Sequence, residues 1–177
     1  HGGAVLFMVS GGWVSRWSPP EGLARRSFSA LLENGLTVIA VRHGSAPRFK
    51  VPEAEADVRR ALRYVRLHAS DLGVDADRLG VFGGSAGGHL SLMLGLGSDE
   101  GEQDSSDEVL RTPARVAAVV AYYPPVDLRP IVGPSELDIL RSYRERNVVT
   151  RVFSRRIRIQ NSSKCRCQVR RLRRRRP

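Results

Sequence analysis

The stretch Leu79–Leu96, LGVFGGSAGGHLSLMLGL, decides the fold. Leu79 to Phe82 is an apolar run of strand length, and from Ala86 the apolar residues take helical spacing. Between them Gly83, Ser85 and Gly87 spell G-x-S-x-G at the point where a strand would turn into a helix. A serine at the tip of so sharp a turn has a strained backbone, and neighbouring chain must pass close to it. Glycines at 83 and 87, with Ala86 between them, leave that room. The pattern points to Ser85 as a nucleophile. The alternative is an ordinary glycine-rich turn that cradles a phosphate, although the spacing is neither G-x-G-x-x-G nor G-x-x-x-x-G-K-[ST].

Working outward, Ala4–Val9 and Leu36–Val41 are continuous apolar runs, as expected for strands buried on both faces of a parallel sheet. Pro19-Pro20-Glu21 reads as a helix start, with Leu23, Phe28, Leu31 and Leu32 on one face and Gly35 at its C-terminal cap. Arg42 to Val51 reads as a loop. After Pro52, Ala54, Val58, Ala61, Leu62, Val65, Ala69 and Leu72 recur every three or four residues, a helix ended by Gly73. Ser98–Thr112 reads as a polar, acidic surface loop, and Val116–Ala121 as a fourth strand closed by Tyr122-Tyr123-Pro124-Pro125. Alternating strands and helices predict an α/β fold, a parallel sheet flanked by helices. Function in such sheets gathers at the carboxyl ends of strands, where Ser10–Trp13, Gly83–Gly88 and Tyr123–Asp127 all fall.

The chain has 177 residues, enough for one domain with a core, and a formal net charge of +11. That charge is uneven. Residues 151–177 hold eleven arginines and Lys164 with no acid, so residues 1–150 carry 17 basic against 18 acidic side chains, a net of −1. Both cysteines, Cys165 and Cys167, lie in the basic segment and imply no disulfide framework for the domain. No apolar run approaches the roughly 18 residues that span a bilayer. No signal peptide is visible, and the composition reads as that of a soluble domain whose compartment is open.

Acyl transfer by serine needs a base, an orienting acid, and donors aimed at the developing oxyanion. The N–H of Ala86, directly after the serine, is one candidate donor. Ser10-Gly11-Gly12-Trp13, a glycine loop after the first strand, supplies Gly11 and Gly12 as further candidates; a plain turn is the other reading.

Here the sequence resembles the α/β-hydrolase fold esterases of the hormone-sensitive-lipase and BD-FAE type. Gly83-Gly84-Ser85-Ala86-Gly87-Gly88-His89 matches the family's G-x-S-A-G-G-H. Its H-G-G-G-W loop is represented by Val9-Ser10-Gly11-Gly12-Trp13, with valine for the histidine and serine for the first glycine. His1-Gly2-Gly3 lies before its strand, at the wrong end of the sheet. Arg42–Pro47, Pro52, Asp57-Val58, Asp77–Val81 and Tyr123–Leu128 continue the likeness, which spans roughly residues 4–133. The resemblance implies a partial α/β-hydrolase domain over 1–133, clipped at both ends. It also implies hydrolysis of small carboxylic esters through an acyl-enzyme on Ser85, with no cofactor and no metal.

The family's order is Ser, then Asp, then His, yet no histidine follows His89. His43, on a loop at the carboxyl end of a strand, is the substitute base that position favours most. His89 matches the family's non-base position, and His68 reads as a helix-surface or packing residue. Asp127 could orient a base or cap a turn. The triad so far has a nucleophile and oxyanion donors without an identifiable base, and the chain's activity is expected to be impaired. Residues 134–177 read as an arginine-rich tail, irregular or disordered. A shifted reading frame is the preferred explanation, because the tail begins where two further strands are expected. A basic nucleic-acid-binding arm over 135–177 on a non-catalytic pseudo-hydrolase is the rival. A metal tag through Cys165-x-Cys167 is disfavoured, since two thiols without a nearby histidine are poor ligands.

Overall fold

The apolar runs become strands β1 (Gly2–Met8), β2 (Thr37–Arg42), β3 (Val74–Gly84) and β4 (Ala118–Tyr122), all mutually parallel. The structure, a computed structural model, describes residues 2–16, 28–129 and 168–172. In space the sheet runs β4-β3-β1-β2-β5, where β5 is Gln168–Leu172. β1 lies at the centre, with Leu6 beside Ile39 of β2 and Val81 of β3.

The sheet is covered on both faces, as the unbroken apolar runs require. On one face Ala4, Leu6 and Met8 are buried with the stripe Ala54, Val58, Ala61, Leu62 and Val65 of helix α2 (Val51–Leu67). On the other, Phe7 meets Phe28 edge-on at 4.9 Å and Phe82 at 5.0 Å. Phe28 leads into α1 (Ser29–Glu33). That helix ends as its sequence predicts: Gly35 takes φ 77°, and Leu36 N–H reaches back to Leu31 O at 3.0 Å. The predicted start of this helix at Pro19–Glu21, with Leu23, lies outside the described residues.

Several boundaries differ from expectation. The long helix bends at His68 before the short α3 (Ala69–Leu72), and Gly73 at φ 62° then ends it. The hydrogen bonds from His68 N–H to Tyr64 O and from Leu72 N–H to His68 O, both 3.0 Å, carry the chain across the bend. β3 begins at Val74, earlier than the apolar run, because Gly2 pairs with Val74 before the register shifts and Ala4 pairs with Leu79. β5 is a short regular element within a segment expected to be irregular. It pairs antiparallel with β2, Ile39 opposite Arg171. β4 packs on the core through the half-buried Val119, while its other face is open, with Val120 46% and Tyr122 58% exposed.

α4 (Ala86–Leu96) follows β3 as predicted. The acidic loop after it holds one helical turn, α5 (Glu108–Arg111), capped by Asp107, whose carboxylate accepts from Val109 N–H at 2.9 Å. The loop is tied to α2 by charge. Arg59 and Arg63 both donate to Asp99, and Arg60 pairs with Asp107 at 2.7 Å. Partial burial works against the charge on Asp99, but the Arg63 hydrogen bond, the Gly101 N–H and the fields of Arg63 and Arg59 outweigh it and hold its carboxyl below the usual range.

A carboxyl depressed in the folded state adds stability above its ordinary value and loses it as pH falls through the lowered one. Asp99→Asn should therefore cost about 1 kcal/mol at neutral pH, a figure kept small because this side chain is partly exposed. The gap to wild type should narrow in urea titrations as pH falls below 3.8. An undiminished gap in acid would remove the ion pair as its cause.

Candidate active site

Ser85 stands between β3 and α4 with φ 52° and ψ −124°, a left-handed conformation that non-glycine residues rarely adopt. Two backbone bonds fix it: its N–H donates to Tyr122 O of β4, and its O accepts from His89 N–H, both at 2.9 Å. Crowding around the turn explains the glycines. A Cβ on Gly83 would lie 2.5 Å from the Gly87 carbonyl carbon, and one on Gly87 would lie 2.3 Å from Met8 O at the end of β1. Three segments thus touch backbone to backbone. Among the described residues no hydrogen bond reaches the Ser85 hydroxyl, which leaves it open to a substrate.

The loop after β1 lies beside this turn, because β1 and β3 are neighbours in the sheet. Gly11 (φ 115°), Gly12 (φ 62°) and Trp13 (φ 57°) take positive φ in succession. Val14 N–H closes the turn onto Gly11 O at 3.2 Å. Among the described residues nothing accepts from the N–H groups of Gly11, Gly12 or Ala86. Gly12 and Ala86 are buried, and Ala86 opens α4, where the first N–H groups of any helix lack an intrahelical acceptor.

The Trp13 side chain is 1% exposed and meets His89 edge-on at 5.5 Å. Sequence reasoning missed this contact, although both residues stand in the quoted motifs. Burial lowers the pKa of His89, with Glu55 opposing weakly, so the ring is neutral at physiological pH. Its Nδ1 has no hydrogen-bond partner among the described residues.

No described histidine ring is hydrogen-bonded to the Ser85 hydroxyl. His43, the favoured substitute base, is buried with both ring nitrogens on backbone oxygens: Nδ1 is 2.7 Å from Gly44 O and Nε2 3.2 Å from Val9 O. Its ring nitrogens face these two carbonyls rather than the Ser85 hydroxyl, so the structure does not pair His43 with the nucleophile. His68 lies on the surface beside the Tyr64 ring at 4.3 Å. His1 lies outside the described residues. Asp127 accepts from the backbone and the guanidinium of Arg129, which together pull its carboxyl down to about 2, and so serves a turn rather than a histidine. No group of three or more metal-ligating side chains occurs among the described residues, and no described helix is long and apolar enough to cross a membrane. Cys165 and Cys167 lie outside the described residues.

A family model described as BD-FAE matches residues 3–164, extending past residue 133, where the motif likeness stops. The probable carboxylic ester hydrolase LipM of Mycobacterium tuberculosis (strain ATCC 25618 / H37Rv) is 37% identical over 120 residues, covering 67% of this chain and 27% of that protein. The acetyl ester-xyloside bifunctional hydrolase from Caldicellulosiruptor lactoaceticus shares the fold, with a TM-score of 0.62 at 24% identity over 84% of this chain and 57% of that one. Thermogutta terrifontis esterase 2 phosphonylated by sarin gives a TM-score of 0.60 at 27% identity over 84% and 55% of the two chains. The chain therefore spans under a third of this curated relative and just over half of these structural neighbours.

Two outcomes follow from the geometry. Gly87→Ala should lower stability in urea by about 1–3 kcal/mol through overpacking on Met8 O. Gly2→Ala, whose Cβ would sit 3.4 Å from Gly35 O, should not. His89 binds fewer protons folded than unfolded, so stability should fall as pH drops below the ordinary histidine value of about 6.5. Thermal midpoints of His89→Gln should fall less than those of wild type between about pH 7 and pH 5. Parallel slopes would show that His89 is not the group responsible.

Proposed function

The chain belongs to the BD-FAE family, and on that premise we propose that it is the nucleophile-bearing part of a serine esterase acting on small carboxylic esters. The observation that carries the reading is the left-handed backbone of Ser85, which thrusts an unbonded hydroxyl out between β3 and α4. The Ser85 oxygen attacks the ester carbonyl carbon. The resulting oxyanion accepts from Ala86 N–H and from Gly11 and Gly12 N–H, the donors left without acceptors. Collapse expels the alcohol and leaves an acyl group on Ser85, which water then removes. Support comes from LipM, a probable carboxylic ester hydrolase, and from a neighbouring esterase that is phosphonylated, a reaction that itself needs a nucleophile.

Attack requires that the serine proton be taken away. The rings of His43, His68 and His89 all face elsewhere, and no histidine follows His89 in these 177 residues. A serine without a base stays protonated, and loss of a triad member costs roughly four to six orders of magnitude. Residues 1–177 on their own should turn over p-nitrophenyl acetate at no more than a trace rate. A Ser85-dependent rate near that of intact esterases would refute the impairment. The nucleophile is tested separately by mass spectrometry after prolonged exposure to a fluorophosphonate. One adduct is expected on the peptide bearing Ser85 and none in Ser85→Ala; an adduct on another residue in wild type would refute the assignment.

A further inference from the structure

We propose that His43 is a positioning residue that holds the oxyanion loop, Ser10–Trp13, by fastening both of its ends, one through its ring and one through its backbone N–H. The inference rests on the serine-hydrolase reading, because that loop carries two of its oxyanion donors. Within the loop, three successive positive φ values are closed by the bond from Val14 N–H to Gly11 O. Its frame comes from the chain leaving β2. His43 Nε2 lies 3.2 Å from Val9 O at the loop's start, and His43 N–H donates to Ser15 Oγ at 3.3 Å at its end. Around these, Ser15 N–H donates to Ser45 Oγ at 2.9 Å, Arg42 Nη2 to Ser15 O at 3.1 Å, and Ala46 N–H to Trp13 O at 3.1 Å. Val9 stands where the family's motif has histidine, so the imidazole that meets this point arrives from β2.

The bracket is itself anchored. Gly44 N–H donates to the buried Asp57 carboxylate of α2 at 2.7 Å, and a Cβ on Gly44 would collide with the Phe49 ring. Both oxygens facing the His43 ring are carbonyls, which only accept. A neutral imidazole has one N–H, so one nitrogen would turn its lone pair toward an oxygen; the doubly protonated ring donates to both. Fastening of the Val9 end therefore requires an N–H on Nε2, 3.2 Å from Val9 O. The charged groups in the same frame are Arg42, on Ser15 O, and Asp57, on Gly44 N–H. Ser10–Ser15 contribute none.

Amide hydrogen exchange on the full chain tests this without relying on catalysis, so the result is separable from that of the esterase reading. The reporters are the bonded N–H groups of Val14, Ser15 and Ala46, with α2 amides as the internal reference. His43→Leu should speed exchange at all three by at least about tenfold relative to α2. His43→Gln, which places an amide N–H near the Nε2 position, should restore most of the protection, while His43→Asn, which reaches only the Nδ1 position, should not. Equal protection in the Gln and Asn variants, or a Leu variant indistinguishable from wild type, would overturn the proposal. If the variants fail to fold, nitrogen-15 spectra of the wild-type ring decide. Nε2 must carry a proton wherever Ser15 N–H is protected, and a bare Nε2 under those conditions would refute it.

Discussion

The constraint on which the structure depends is contact between bare backbones at the carboxyl end of the sheet. β1 ends with a carbonyl, Met8 O, so close to Gly87 that no side chain fits between them, and Gly87 in turn fills the space above Gly83. Central strand, neighbouring strand and following helix are locked together at one point. Ser85 is the residue that the lock pushes outward, into a conformation its own preferences disfavour. Strain of this kind persists only where the surroundings over-determine it. Here they do so through the Gly83–Gly87–Met8 stack and through the hydrogen bonds of Ser85 with Tyr122 of β4 and His89 of α4.

The parts of the fold legible in the sequence were those governed by local pattern. The four parallel strands, the buried stripe from Ala54 to Ala69 and the helix Ala86–Leu96 follow from apolar period alone. So do the ends at Gly35 and Gly73, because a left-handed cap favours glycine. Less legible were features set by pairing across space. The early start of β3 comes from its bond register with Gly2, and β5 comes from β2 offering a free edge, neither of which leaves a periodic trace. The acidic loop looked featureless, yet Asp99 is the acceptor for two arginines of α2, contacts that spacing along the chain does not announce.

At the site the division is similar. The positive-φ turns at Gly11–Gly12 and at Ser85 fall where the glycine spacing puts them, because turn chemistry writes itself in glycine and small residues. His43 was readable as a histidine near the right end of the sheet, but not as a residue whose ring is spent on two backbone oxygens. The pairing of Trp13 with His89 likewise joins residues of two separate motifs, and only the adjacency of β1 and β3 brings them together.

The bond from Ser85 N–H to Tyr122 O carries a consequence for how the site comes into being. One of the two bonds that fix the serine's backbone comes from β4, the last of the four parallel strands among the described residues and well downstream of the motif. Closing so long a loop is a late event compared with forming a helix or a hairpin. During synthesis, a nascent chain that has emerged only as far as α4 holds every letter of the G-x-S-x-G motif. Its serine nevertheless lacks the partner that fixes its backbone. The elbow matures when β4 docks, so the serine's backbone geometry and the docking of that strand are one folding event.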